Sequence, residues 1–335
     1  MPKKGITPTI AYDALLKIQQ TGIDSSFLTA RLAYSEVTMT LNSHVKPLVG
    51  EARIYPNMMN PQASGRVGIS NPPVGNFTPD TAFGPRGIRD MIIPDPGEKW
   101  IHADWSAVEG WIVSHRSKDE ADLEVKARGL DLHTVTAIRM LKYAEPPFEP
   151  TKENLKSDMG LAWRESVGFS ESVRTLVKNC RYTLNYALNE KAMAKYAAKL
   201  GIPAKELCRY GALYLRSKPG LVAWKRTRWA LALAHKCAWT SFGRRRRLLG
   251  DPLRVQKEGL NHEIQGTVAD MMKVTMVALA GIGCRMVLQR HDGWYSAVPS
   301  AWSDWQRYKA IVEREWEIDQ KPITFPAEYE EITHE

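Results

Sequence analysis

The sequence predicts an α+β fold. Helix-like and strand-like segments mix along its 335 residues without the regular alternation that a doubly wound sheet imposes. Lys99-Trp100-Ile101-His102-Ala103-Asp104 reads as a strand that ends on an acid. Residues 285–289 and 294–298 read as two more strands around a tight His291-Asp292-Gly293 turn.

In chain order, residues 9–43 suggest two helices, with Asp24-Ser25-Ser26 supplying cap residues for the second. Residues 44–98 are irregular: eight of the 20 prolines fall between 51 and 100, with several Gly and Asn. The strand ending at Asp104 follows, then a helix from about Ser106. From about 170 to 240 the pattern is helical, broken near Gly201-Ile202-Pro203 and Lys218-Pro219-Gly220. Residues 238–250 read as a hairpin or basic loop and 254–280 as a long helix. After the two strands, a helix over 301–317 and a short final strand complete the pattern.

Charge narrows the choice of partner. Forty-six Lys and Arg against 37 Asp and Glu give +9, which favours a polyanion. Eleven Trp and 12 Tyr add flat surfaces that suit either bases or a core. Cys180, Cys208, Cys237 and Cys284 form no CxxC pair, so neither a zinc site nor a disulfide framework is expected. The opening MPKKGITPTI lacks the apolar stretch of a secretory signal. The best apolar run, 229–239, is short and interrupted by His235 and Lys236. These features predict a soluble protein of the cytoplasm, with no membrane partner.

Two constellations carry chemistry. Asp104 and Asp292 both stand at predicted strand ends, where a carboxylate pair suits two magnesium ions roughly 3.5–4 Å apart. Either acid alone equally fits a turn or a helix cap. The second is Arg174-x3-Lys178-x3-Tyr182-x3-Tyr186, which puts two cations and two rings on one broad helical face. That face suits a nucleoside triphosphate, or equally an amphipathic helix with a solvated basic end.

These segments resemble those of family A DNA polymerases, the bacterial DNA polymerase I class and its phage relatives. Asp104-Trp105-Ser106-Ala107-Val108-Glu109 is similar to motif A, and Arg174, Lys178, Tyr182 and Tyr186 match motif B. Leu288-Gln289-Arg290-His291-Asp292 resembles motif C. Asp131-Leu132-His133-Thr134-Val135-Thr136-Ala137, Gly243-Arg244-Arg245-Arg246 and Ile264-Gln265-Gly266-Thr267-Val268-Ala269-Asp270 also resemble family segments. Ser64-Gly65-Arg66, with Asn71-Pro72 and Asn76, looks like the element leading into the palm. The likeness runs from about 60 to 300, in the family's order.

The resemblance implies a right-hand polymerase with an antiparallel palm sheet, helical fingers and a reduced thumb. The thumb remnant would cover 1–60, the palm 61–140 and 241–335, and the fingers 141–240. It implies template-directed addition of deoxynucleotides to a primer on a DNA template. Two magnesium ions, replaceable by manganese, would be held by Asp104, Asp292 and the Trp105 backbone carbonyl. Arg174, Lys178 and His133 would contact the triphosphate, with Lys178 also a general acid. Tyr182 and Tyr186 would pack at the nucleotide, and Glu109 would crowd the sugar 2′ position. Arg66, Gln265, Lys257, Asn261, His291, Arg244 and Arg245 would contact DNA. The cell would be a bacterium or a phage-infected host.

Three residues depart from the family. Gly293 replaces the glutamate that usually follows the motif C aspartate, Ala187 replaces a glycine, and Lys257 stands where arginine is common. Few acids lie in residues 1–60, so proofreading is not expected; a separate exonuclease, thumb or clamp protein is. The resemblance leaves room for a single-subunit RNA polymerase, which Glu109 argues against, and for a catalytically impaired nucleic-acid-binding relative.

Overall fold

The computed structural model describes residues 26–59, 62–76, 92–187, 189–196, 202–290 and 292–333. The first of the two expected N-terminal helices lies outside this set; the second is the Ser26–Thr40 helix. Ten strands occur among the described residues: β1 (Asn57–Met59), β2 (Gly68–Ser70), β3 (Glu98–Trp105), β4 (Cys237–Trp239), β5 (Arg245–Arg247), β6 (Arg285–Arg290), β7 (Gly293–Pro299), β8 (Trp316–Ile318), β9 (Lys321–Ile323) and β10 (Ala327–Ile332). Mixed with helices and paired antiparallel throughout, they make the fold α+β.

The central sheet has the order β10-β3-β7-β6. Its inner strand β3 alternates as a two-residue period requires. Ile101, Ala103 and Trp105 are buried, which turns His102 and Asp104 to the opposite face. A one-residue slip would bury the acid and expose Trp105, so the apolar pattern fixes Asp104 on the open side. β7 is buried along almost its whole length, with Trp294 at 0% exposure packed edge-on to Trp105.

Helices cover the buried face of this sheet. The Leu132–Leu141 helix begins at Asp131, whose side chain accepts from the Thr134 amide at 2.8 Å. Ser170 caps the Glu171–Tyr186 helix in the same way, and Asp251 the Pro252–Ala280 helix. Prolines end the expected helical stretch where the sequence suggested: Pro203 and Pro219 stand at the starts of the Ala204–Arg216 and Pro219–His235 helices. β4 and β5 form the expected basic hairpin. No helix among the described residues is long and apolar enough to cross a membrane.

One expected element is wrong. The helix predicted over 301–317 covers only Trp305–Val312. Beyond it, Asp319 and Gln320 both adopt positive φ, 51° and 61°, and close the β8–β9 hairpin. The hairpin puts Trp316 against Trp105 with ring centroids 6.4 Å apart. Burial of that ring outweighs continuation of a mostly polar helix.

Candidate active site

β3 and the β6–β7 turn bring the two acids together. Asp104 pairs in register with Gly293 of β7, and the Trp105 amide donates to the Asp292 carbonyl at 3.3 Å. Both carboxylates line a cavity of about 440 Å³ that also takes in Trp105, Ser106, His133, Lys152, Arg174, Lys178, Tyr182 and Glu328. Burial pushes the Asp104 carboxyl up, and the neighbouring Glu328 adds to it; Arg290, Lys178 and Lys152 pull the other way. Asp292 is raised further, by burial and then by the charge of Glu109, against the pull of Arg66. Two buried carboxylates at one cleft offer the oxygen donors that hard cations prefer.

The opposite wall is the Glu171–Tyr186 helix. Steps of four residues turn Arg174, Lys178 and Tyr182 into the cavity, with the Lys178 ammonium 5.9 Å from the Tyr182 ring centroid. Arg174 is already engaged: Nε and one terminal nitrogen donate to the two Asp131 oxygens at 3.1 and 2.7 Å. His133 lies two residues beyond Asp131. Burial, then the charge of Arg181, holds its imidazole well below the usual range and so neutral, and its Nδ1 is buried without a hydrogen-bond partner.

Tyr182 also lines a second cavity, of about 660 Å³, with Glu109, Tyr186, Lys257, Asn261 and Gln265. The last three stand at four-residue intervals on the Pro252–Ala280 helix, on one face. The residues expected at the nucleotide, with Gln265, Lys257 and Asn261 of those expected at DNA, therefore fall into two cavities that share Tyr182.

Arg66 joins the two. Its guanidinium donates to Asp292 Oδ1 at 2.5 Å and to Glu109, whose other oxygen accepts from the Tyr186 hydroxyl. Glu109 is 4% exposed, and burial together with this carboxylate raises the Tyr186 phenol. Arg66 was expected at DNA; here it lies inside, bridging two acids.

Arg244 is engaged within the protein in the same way. Expected on duplex phosphates, it turns inward, donating to Asp270 at 2.6 Å and to the Ser64 and Gly266 carbonyls at 2.9 and 3.1 Å. Gly65, at φ 91°, lies so close to this guanidinium that a Cβ would run into it. Arg244 thus pins the loop that carries Arg66. Arg245 is exposed, while Arg246 is paired with Glu258. His291 lies outside the described residues.

The departures from the family pattern acquire physical settings. At Gly293 a Cβ would meet the Ala103 carbonyl oxygen at 2.7 Å and Asp104 Oδ2 at 2.8 Å, so the backbone leaves no room for a side chain. At Ala187 the helix ends in extended conformation, and the buried Lys225 ammonium donates to the Leu184 and Ala187 carbonyls, both at 2.5 Å. A lysine satisfies the carbonyls left over at the helix end. Sequence reasoning missed Lys225 and also Lys152, Ser106 and Glu328 at the main cavity.

The class that fold and site define is an α+β protein whose antiparallel sheet carries paired acids facing a cationic helix across an open cleft. The chain belongs to DNA polymerase family A, whose sequence pattern matches residues 3–159 and 160–330. It is 27% identical over 319 residues to the thermostable DNA polymerase I of Thermus caldophilus, covering 89% of this chain and 34% of that protein. It is 29% identical over 243 residues to DNA polymerase I of Pseudomonas aeruginosa, covering 69% and 24%. The chain therefore spans about a third or less of these relatives' length. Among solved structures, the POL domain of Pol1 from M. smegmatis, in complex with DNA primer-template and dNTP, superposes with TM-score 0.74 at 24% identity. That match covers 98% of this chain and 57% of the other.

Proposed function

We propose that this chain extends a DNA primer by template-directed addition of deoxynucleotides. The observation that carries the reading is the meeting of two cavities at Tyr182, one acidic at its floor and cationic on its wall, the other lined by amides and a lysine. The first fits a nucleoside triphosphate and the second a primer–template end. Magnesium ions, with manganese as a substitute, would be held by Asp104, Asp292 and the Trp105 carbonyl, and when bound would supply Lewis-acid activation of primer hydroxyl and leaving phosphate. The residues fit that group: carboxylate oxygens are hard donors, and magnesium sites complete their shells with water and substrate phosphate. Among the described residues no group of three or more His, Cys, Asp or Glu forms a protein cage.

In this reading Lys178 and Arg174 receive the phosphates, and Lys178 delivers a proton to the departing pyrophosphate. Neutral His133 donates one hydrogen bond to a phosphate oxygen. Tyr182 and Tyr186 pack on base and sugar, and Glu109 blocks a 2′-hydroxyl. Gln265, Asn261, Lys257 and Arg66 face the duplex. Residues 61–140 and 241–335 act as palm and 141–240 as fingers, with 1–60 on the thumb side. A separate exonuclease, thumb or clamp protein is a further partner in this reading. The decisive experiment is magnesium-dependent primer extension by wild type, Asp104→Ala and Asp292→Ala. Extension by wild type alone is expected; equal extension by all three would overturn the reading.

A further inference from the structure

Resting on that polymerase reading, we propose that Lys152 is a further contact for the polyphosphate tail of the nucleotide, held in reserve by Glu328. The two residues come from segments far apart in sequence. Glu328 is on β10, in register with Asp104 on the side of β3 away from Gly293. Its carboxylate accepts from Lys152 and, at 2.9 Å, from the Ser106 hydroxyl; Lys152 Nζ lies 3.2 Å from that same hydroxyl.

The backbone presents Lys152 at a fixed place. The Asp131 amide donates to the Pro150 carbonyl at 2.8 Å, and the Asn154 amide to Thr151 Oγ1 at 3.1 Å. The lysine therefore projects from a braced turn beside the helix that begins at His133's neighbour, not from a free loop. It lines the main cavity together with Lys178, and also a cleft of about 750 Å³ that adds Lys156 and Arg164.

The cations on the helix wall are in part engaged already. Arg174 is bound through two hydrogen bonds to Asp131 and by a third to Glu171, so much of its charge is already matched. The Lys178 ammonium lies over the Tyr182 ring. The Lys152 ammonium in the same cavity would add a further cation for the tail. The lysine–glutamate pair is easily exchanged: the side chains are 43% and 65% exposed, and exposed pairs of this kind are weak. A compact ammonium on a flexible stem can leave Glu328 for a phosphate without moving backbone.

The test uses the full chain on a primer–template, measuring KM and kcat for dNTP and competitive inhibition by inorganic tripolyphosphate. Lys152→Gln should raise both KM and the tripolyphosphate inhibition constant about tenfold, the scale of one charge-assisted hydrogen bond, with kcat within about twofold. Lys152→Arg should recover most of the loss, and Glu328→Gln should lower KM by freeing the lysine. An unchanged KM in Lys152→Gln, or equal losses in the Gln and Arg variants, overturns the proposal while an active wild type leaves the polymerase reading intact. A wild type that extends no primer removes the polymerase reading, and calorimetric tripolyphosphate binding then decides: weaker in Lys152→Gln supports the contact, equal binding overturns it.

Discussion

Gly293 offers a prediction that runs against intuition from the family. Restoring the usual glutamate would be expected to repair the metal site. The structure predicts damage. Gly293 is buried between β3 and β6, paired with Asp104 on one side and Arg290 on the other. An added Cβ would lie 2.7 Å from the Ala103 carbonyl oxygen, 2.8 Å from Asp104 Oδ2 and 3.1 Å from Asp104 Cβ. The carbonyl belongs to the inner strand and cannot withdraw without straining the ladder on which both acids stand. Overpacking of this kind costs about 1–3 kcal/mol. A glutamate also adds a negative charge beside two carboxyls already pushed up by burial and by neighbouring acids. Gly293→Ala isolates the steric part, and Gly293→Glu adds charge. Urea denaturation should show a loss of about 1–3 kcal/mol for alanine and more for glutamate. In primer extension, a displacement of Asp104 that removes about 1.4 kcal/mol of transition-state stabilisation gives a tenfold fall in kcat. A Gly293→Glu variant that is as stable as wild type and extends primers as fast or faster would refute the packing argument.

Tyr182→Phe should discriminate more strongly against dideoxynucleotides, because the phenol can stand in for a missing sugar 3′-hydroxyl; chain-termination ratios equal to wild type would count against this. Glu109→Ala should admit ribonucleotides in primer extension and cost about 1–3 kcal/mol in denaturation, since the buried Tyr186 hydroxyl loses its acceptor; unchanged sugar selectivity sinks the assigned role. Asp122→Asn tests the buried network in which Asp122 accepts from Arg181 at 2.7 Å, Lys218 at 2.6 Å and Ser114 at 2.8 Å. Burial works to raise this carboxyl, but Arg181 and Lys218 together hold it far below the ordinary carboxylate range. A depressed carboxyl stabilises the fold fully above its unfolded value of about 3.9, and the benefit fades as pH falls toward the folded value. The variant should therefore lose about 3–5 kcal/mol at neutral pH, with the gap narrowing below about pH 4. A gap that stays constant down to pH 2.5 would refute the ionic account.

What the sequence made legible follows from range. The β3 strand, the β4–β5 hairpin, the β6–β7 turn and the long Pro252–Ala280 helix announce themselves by local period and by caps. The helical spacing of Arg174, Lys178 and Tyr182 is likewise local, and the structure puts those three on one cavity wall. Partnerships across the chain were not legible. Nothing in Arg66 or Arg244 tells an inward guanidinium from one that faces DNA; that depends on where Glu109, Asp292 and Asp270 arrive. Glu328 is one of several acids in a short strand, and only the sheet order makes it Asp104's neighbour. The helix expected to 317 failed because the turn at Asp319-Gln320 uses positive φ at residues other than glycine, which carries little sequence signal.

The sheet order also governs when the site comes into being. β3 is an inner strand, yet both of its partners, β7 and β10, are encoded more than half the chain later or beyond. As the polypeptide leaves the ribosome, β3 waits with both edges unpaired while the intervening helices are made. Closing so long a loop is a late event, because its entropy is lost before the ladder hydrogen bonds repay it. A nascent chain that stops short of β7 carries Asp104 but no partner acid, and one that stops short of β10 leaves an apolar strand open to other chains. Co-translational solubility of such fragments should thus depend on how the helical insert shields β3 until its neighbours appear.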